Sequence, residues 1–441
     1  MKRLLSLLLC VVLALFCATT AQAAGVSITL TASEYALHYA FDAGAQDPFV
    51  ILEYATPAEK GWMMLYSADG HFEGDVSLAY SGAGGKTSVA LTSARTTGSI
   101  GKASTTLPKA ADYQKPTGKS NAKVTDFVLT ETPEGFHYAF NAIGTDYMLL
   151  YWRSKEQTVT QPVYPDENGH YEGDVVSELT FARTQFTVQV KSGSGSMKKE
   201  ATVRKGYQAP EAPQRQEGRL SGVTVCIDAG HQENGRFVNE PIGPGLTGST
   251  SGKGGMAQGT KTNRRESIVC LEIGMLLRDE LLRQGANVVM TREDQTTFHT
   301  NIERCEIAEA GGAQIMLRLH CNNSSNRSKR GIQVYGPLNS DYAKAVADAD
   351  TYREMGQKLL DAMKTRVGMT LANSTGMVRL NDNYVGNNWA KMMCFLVEMG
   401  YLSNPAEEYL LVTPVYQQWL AEGMADGVYE IAVARGWVQA Q

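Results

Sequence analysis

Cysteine is missing from almost the whole first half of the chain: between Cys17 and Cys226 there is none. Removing the N-terminal segment described below leaves five, Cys226, Cys270, Cys305, Cys321 and Cys394. An odd number confined to one half argues against a disulfide framework. Four of the five sit in apolar contexts that suit a small buried hydrophobe. No sustained basic run occurs either, which argues against nucleic acid as a partner. Net charge is −5, or −7 without Lys2 and Arg3, so a strong electrostatic grip on an anionic polymer is disfavoured as well. Beyond residue 17 no apolar run is long enough to span a membrane. What is present, 43% apolar and 20% charged residues, is the composition of a folded chain. A length of 441 residues suits two to four domains.

Residues 1–23 read as a secretory signal peptide. Lys2 and Arg3 precede an apolar stretch of 14 residues, 4–17, and Ala21-Gln22-Ala23 offers a small-x-small cleavage site. A transmembrane anchor needs about 20 apolar residues, more than this run supplies. Cys10 and Cys17 follow the bulky Leu9 and Phe16, a poor match to a lipoprotein cleavage site. The expectation is a secreted or otherwise extracytoplasmic protein with no transmembrane anchor.

The first half repeats itself. His38-Tyr39-Ala40-Phe41-Asp42-Ala43 recurs as His137-Tyr138-Ala139-Phe140-Asn141-Ala142, 99 residues later. Gly70-His71-Phe72-Glu73-Gly74-Asp75-Val76 recurs as Gly169-His170-Tyr171-Glu172-Gly173-Asp174-Val175 at the same offset. Two matches at one offset indicate duplication. Residues 36–41 and 136–140, 49–54 and 147–152, and 86–92 and 185–190 read as strands, separated by glycine-containing turns. About seven such strands per copy predict two all-β, sandwich-like repeats, at 24–105 and 123–205. The linkers between domains are expected at 106–122 and 206–220, where Pro, Gly and polar residues gather. As extracellular modules the repeats are candidates for binding a glycan through Trp62, Trp152, Tyr164, His71 or His170. For the individual residues the plainer account is sandwich core, rim and a turn kept in both copies.

From residue 221 to 441 the pattern becomes that of an α/β domain, with a mostly parallel central sheet flanked by helices. A strand at 223–227 ends in Asp228-Ala229-Gly230-His231, and a long loop rich in Gly, Ser, Thr and Lys follows, 232–263. Helices are expected at 268–282 (closed by Gly285), 302–310, 341–367 (long enough to break once) and twice within 406–433. Strands are expected at 286–291, 314–319, 332–335 and 395–398.

Four polar residues fall where such a sheet places its site. His231 and His320 follow strand ends, Glu398 closes a strand, and Glu266 begins the first long helix. His, Glu and His form a sensible zinc set with one position left for water, and a nearby carboxylate can act as general base and acid. Read singly, each has a plainer account. His231 can be a polar loop residue and His320 a satisfied buried histidine. Glu266 can be a first-turn residue favoured by the helix dipole, and Glu398 a solvated strand end.

Residues 223 to about 437 resemble the zinc-dependent N-acetylmuramoyl-L-alanine amidases of the amidase-3 type. The motifs are Ile227-Asp228-Ala229-Gly230-His231, Glu266 before a helix ending at Gly285 and a strand ending Thr291-Arg292, Arg318-Leu319-His320-Cys321-Asn322, and Val397-Glu398-Met399-Gly400-Tyr401-Leu402-Ser403-Asn404. The resemblance implies one Zn2+ on His231, Glu266 and His320, with Glu398 catalytic. It also implies hydrolysis of the amide between N-acetylmuramic acid and L-alanine in peptidoglycan, and a protein secreted or associated with the cell wall. Glu272 competes with Glu266 but fits the spacing to Gly285 less well. Arg318, Asn322 and Asn387 are expected to meet substrate, although Arg318 can instead brace the sheet. Asn383 and Asn388 are further candidates for the cleft wall, and Arg292 and Arg304 are candidate structural pairs. The rivals are a zinc peptidase acting on stem peptides and a catalytically degenerate wall-binding protein.

Overall fold

In a computed structural model the described residues are 19–21, 25–96, 98–119, 122–132, 135–154, 157–176, 185–194, 197–204, 209–232, 238–250, 255–368 and 376–440. Most of the expected signal peptide, with Cys10 and Cys17, lies outside them. The chain divides into two compact units, Met1–Lys205 and Gly206–Gln441.

The first unit is made of antiparallel strands. They are β1 Thr19–Ala21, β2 Ile28–Ala32, β3 Ala36–Asp42, β4 Phe49–Ala55, β5 Glu59–Tyr66, β6 His71–Ser77, β7 Gly85–Ser93 and β8 Ser99–Leu107. Then come β9 Lys123–Thr132, β10 Gly135–Ile143, β11 Met148–Arg153, β12 Gln157–Val163, β13 His170–Val176, β14 Gln185–Lys191 and β15 Met197–Arg204. Period-two patterning builds them: along β8, Gly101, Ala103, Thr105 and Leu107 are buried while the residues between them face water. The sheets run β1-β2-β3-β6, β13-β10-β9 and β15-β14-β11-β12-β5-β4-β7-β8. In these orders β9, β10 and β13 stand where β2, β3 and β6 stand, and β11, β12, β14 and β15 where β4, β5, β7 and β8 do. The two halves join where β12 pairs with β5, Gln157 opposite Gly61 and Val159 opposite Glu59. The buried Glu59 carboxylate accepts there from the Gln157 amide at 3.1 Å. Part of the stretch expected as the first linker is packed: Leu107 and Ala110 are buried, and Ala110 N donates to Gly82 O at 2.8 Å.

The aromatic candidates for glycan binding separate clearly. Trp152 is fully buried in one core cluster and Trp62 is also buried, whereas Tyr164 is exposed. The repeated histidines lie on the outer face of β3 and β6, where His38 pairs with Asp75, Ala40 with Glu73 and Asp42 with His71. They join a row of alternating acids and imidazoles. His38 Nδ1 is 3.1 Å from Asp75 and its Nε2 3.3 Å from Glu73. His71 Nε2 is 3.7 Å from Glu73 and its Nδ1 2.7 Å from Asp42. The second copy repeats the row as Asp174, His137, Glu172, His170 and Asn141.

The second unit holds strands β16 Thr224–Ala229, β17 Asn287–Met290, β18 Ile315–Asn322, β19 Gln333–Gly336, β20 Met377–Leu380 and β21 Met393–Tyr401. Its helices are α1 Glu266–Arg283, α2 Asn301–Ala310, α3 Asp341–Val346, α4 Ala349–Val367, α5 Val385–Trp389, α6 Glu407–Leu410 and α7 Pro414–Ala434. Local chemistry sets the helix ends. Thr300 and Glu303 form a reciprocal capping box on α2, Asp348 caps α4, and Gly368 ends α4 in the left-handed region at φ 62°. The expected long helix breaks once, between α3 and α4. The sheet order is β17-β16-β18-β21-β19-β20. Pairing is parallel except between β19 and β21, so the sheet is mixed. Part of the stretch expected as the second linker lies along α1: Gln216 N and Leu220 N donate to Leu282 O and Gln284 O, and Arg278 reaches Pro210 O. Among the described residues the five cysteines are free and buried, and no helix is long and apolar enough to cross a membrane.

Candidate metal and hydrolytic centre

Three neighbouring strands of this sheet, β16, β18 and β21, carry their C-terminal ends to one edge. There β16 passes into Gly230-His231, with His231 at φ 57°, a conformation that costs a non-glycine residue energy unless its surroundings fix it. Two buried guanidiniums fix it. Arg292 donates to Ala229 O at 2.8 Å and Gly230 O at 2.9 Å, and Arg304 donates to Ala229 O at 3.0 Å and His231 O at 3.3 Å. Beneath them Asp228, fully buried, pairs with Arg304 and with Arg318 Nε, and accepts from Thr291 Oγ1 at 2.8 Å. Burial alone would raise the Asp228 pKa, but the two guanidiniums outweigh it and hold the carboxyl well below the usual range. Gly230 has its own reason: a Cβ there would stand 2.4 Å from Leu319 O, 2.6 Å from His320 Cε1 and 2.7 Å from its Nε2. The glycine of the first motif makes room for the histidine of the third.

Glu266, the first residue of α1, is 3% exposed and reaches both histidines. Its Oε1 lies 3.1 Å from His231 Nε2 and 3.0 Å from His320 Nδ1, and accepts from Cys321 N at 3.0 Å. Its Oε2 accepts from Ala257 N at 2.7 Å. Burial works against the ionised carboxylate, yet the two imidazoles prevail and its pKa is depressed. The His320 pKa is lowered, chiefly by burial. Ligand atoms of His231, Glu266 and His320 lie within 4.8 Å of one another, so the cluster can coordinate a metal ion. Two imidazole nitrogens and a carboxylate oxygen are donors that suit zinc. Glu272, the competing choice, is engaged elsewhere, paired with Arg264 and accepting from Gln417 at 3.0 Å.

Glu398 faces this cluster from β21, in register with His320. Its Oε2 is buried without a hydrogen-bond partner among the described residues. Burial, with a contribution from the charge of Glu266, pushes its pKa up to about 8. A half-buried carboxyl with one buried, unpartnered oxygen beside this cluster is a poor stabilising device and a good proton acceptor.

A cleft of about 380 Å³ opens over these residues, and Arg318, Asn322, Asn383 and Tyr384 also line it. Asn322 donates to Gln333 at 3.1 Å. Asn387 is elsewhere: fully buried, it does not line this cleft, and its amide donates to Tyr335 O at 2.8 Å. A five-residue helix, α5, turns it inward, and the sequence pattern did not reveal that helix. Asn388 is likewise buried and bonds to Ile242 O and Asp382 O. Three contributors escaped the sequence reading. Ala257 touches Glu266 through its backbone, for which no residue pattern exists. Tyr384 precedes the unforeseen α5. Asn301 was findable, because Thr300-x-x-Glu303 marks it as the first helical residue.

Residues 225–430 match the family described as N-acetylmuramoyl-L-alanine amidase. A germination-specific N-acetylmuramoyl-L-alanine amidase of Bacillus subtilis is 26% identical over 231 residues, covering 49% of this chain and 83% of that protein. A Staphylococcus aureus protein named "Probable cell wall amidase LytH" is 27% identical over 218 residues, covering 48% of this chain and 60% of its own length. Among solved structures, an N-acetylmuramoyl-L-alanine amidase from Clostridium difficile 630 aligns at 24% identity and TM-score 0.38, over 48% of this chain and 96% of that one. The C-terminal unit of the chain is a domain of the N-acetylmuramoyl-L-alanine amidase family.

Proposed function

We propose that this unit cleaves the amide joining the lactyl group of N-acetylmuramic acid to L-alanine in peptidoglycan. His231, Glu266 and His320 would hold one Zn2+. When bound, the ion supplies Lewis acidity toward the amide carbonyl and toward water. The chain's own residues do the rest. Glu398 accepts the proton of the attacking water as the new C–O bond forms, and delivers it to the alanine nitrogen as the C–N bond breaks. The products are a lactyl carboxylic acid and a free alanine amine. The Arg292–Arg304–Asp228 network holds His231 in its left-handed turn, and Ala257 N and Cys321 N orient Glu266, as hydrogen bonds to metal-binding carboxylates do. Asn322 lines the substrate cleft.

The observation that carries this reading is the convergence of His231, Glu266 and His320 beside a half-buried Glu398 whose Oε2 has no hydrogen-bond partner among the described residues, within a domain of this family. The strand orders and the 99-residue offset support two sandwich-like repeats as an extracytoplasmic accessory region, with residues 1–23 as the export signal. Mass spectrometry of purified muropeptides after digestion tests the function. Free L-alanine amines together with intact muramic acid lactyl carboxyls are expected, and a chelator should abolish them. Cleavage within the stem peptide instead would overturn the reading in favour of a peptidase.

A further inference from the structure

Arg318 is buried, lines the cleft beside the His231, Glu266 and His320 cluster, and has unspent hydrogen-bonding capacity. It precedes His320 by two residues on β18, so both side chains leave the same face of the sheet. Nε donates to Asp228 Oδ2 at 2.9 Å and Nη2 to Asn301 Oδ1 at 2.7 Å. These bonds fix the guanidinium plane and leave Nη1 with no hydrogen-bond partner among the described residues. The backbone of α5 closes in at Gly386, where a Cβ would collide with Cζ and Nη1 of Arg318. Asn301, Asn383, Val385 and Leu396 complete this end of the cleft, two amides and two apolar walls.

Bracing the sheet does not account for this arrangement. Asp228 is already met by Arg304 and Thr291, so one carboxylate is shared between two guanidiniums. The nearby Glu240 is committed to the first turn of α2, accepting from Asn301 N, Asn301 Nδ2 and Ile302 N. A buried, oriented guanidinium edge at the floor of a cleft is suited to a carboxylate, which it binds through charge-assisted hydrogen bonds. The reach also fits. Residues two apart on a strand are separated by about 6.5 Å. A carboxyl on the residue after alanine lies at most about two residue lengths, roughly 7 Å, from the scissile carbonyl.

We propose that Arg318 is a specificity residue that takes a free carboxylate on the stem-peptide residue following L-alanine, so that the enzyme prefers that acid to its carboxamide. The inference rests on the amidase reading above. The test uses the zinc-loaded full chain and two muropeptides that differ only in a free carboxyl or a carboxamide on that residue. kcat/KM is measured on both, by release of the alanine amine. Wild type should favour the acid by about tenfold or more, and Arg318→Gln should bring the ratio close to one with zinc content retained. A simple brace would change stability and overall rate but leave the ratio intact. If Arg318→Gln does not fold, Arg318→Lys and Asn301→Ala serve instead, each with an expected ratio between one and the wild-type value. Equal cleavage of both substrates by wild type, or an unchanged ratio in the variants, overturns the inference. Amine release from neither substrate overturns the amidase reading itself, and this inference with it.

Discussion

Histidines and glutamates meet in both units, with opposite results. On the outer face of β3 and β6, Glu73 lies between His38 and His71, and each ring is also held by a further carboxylate. At the edge of the second unit's sheet, Glu266 lies between His231 and His320. Residue types are the same, and so, nearly, are the distances to the central carboxylate. Yet among the described residues the one group of three such side chains placed to hold a metal ion is His231, Glu266 and His320, whose ligand atoms all lie within 4.8 Å of one another. In the first unit the histidines stand four residues apart along paired strands, and each imidazole addresses a different oxygen of Glu73. In the second, both address Oε1 of one buried carboxylate whose other oxygen is taken by Ala257 N. A ligand set is therefore defined by convergence and burial and not by composition. The exposed row gains little from its ion pairs, since surface pairs are worth about 0–1 kcal/mol.

The largest effect that would break this contrast is loss of a ligand. His320→Ala or Glu266→Ala should remove the metal, read by plasma mass spectrometry, and lower muropeptide hydrolysis by about 10³-fold or more. Glu398→Gln should keep the metal and lower kcat by about 10²–10⁴-fold. A variant that keeps near-wild-type kcat would remove Glu398 from the proton transfers. Gly230→Ala puts a methyl group against Leu319 O and the His320 ring and should weaken metal affinity by about 10–100-fold, measured by competition with a chromophoric chelator.

A pH effect sharpens the same contrast. In the metal-free protein the Glu398 pKa is raised to about 8, above its ordinary value of 4.5, by burial first and by Glu266 second. Its folded pKa thus exceeds its unfolded one. Whatever stability it contributes is present below about 4.5 and lost as pH rises toward 8. Glu398→Gln should therefore melt above the chelated wild type by a margin that widens from pH 5 to pH 8. A constant margin would mean that Glu398 does not titrate in this range. The smallest effect is expected at the exposed row, where His38→Ala or His137→Ala should shift the melting temperature by roughly 2 °C or less and leave hydrolysis unchanged.

Much of this was legible in the sequence because it lies in short, dense segments. The strand ending in Asp228-Ala229-Gly230-His231, the helix from Glu266 and the strand through Glu398 can each be read locally, and the structure brings His231, Glu266 and His320 together. What could not be read are contacts made across the chain by the backbone or by buried charge. Ala257 N holding Glu266 leaves no periodicity or motif of its own, and although Gly230, Arg292 and Arg304 could be picked out in the sequence, the backbone oxygens and the ring they meet could not. Asn387 went to the core because α5 spans only five residues, too few for a 3.6-residue pattern to declare itself. The β12–β5 pairing was hidden for a similar reason: hydrophobic alternation fixes which face of a strand is buried, but not which edge it joins.

The measurement that tests the central claim most directly is zinc content per chain in three proteins: wild type, a variant with His38, His71, His137 and His170 all replaced by alanine, and His320→Ala. About one zinc per chain is expected in the first two and none in the third. Zinc lost with the four exposed histidines, or kept without His320, would contradict the account.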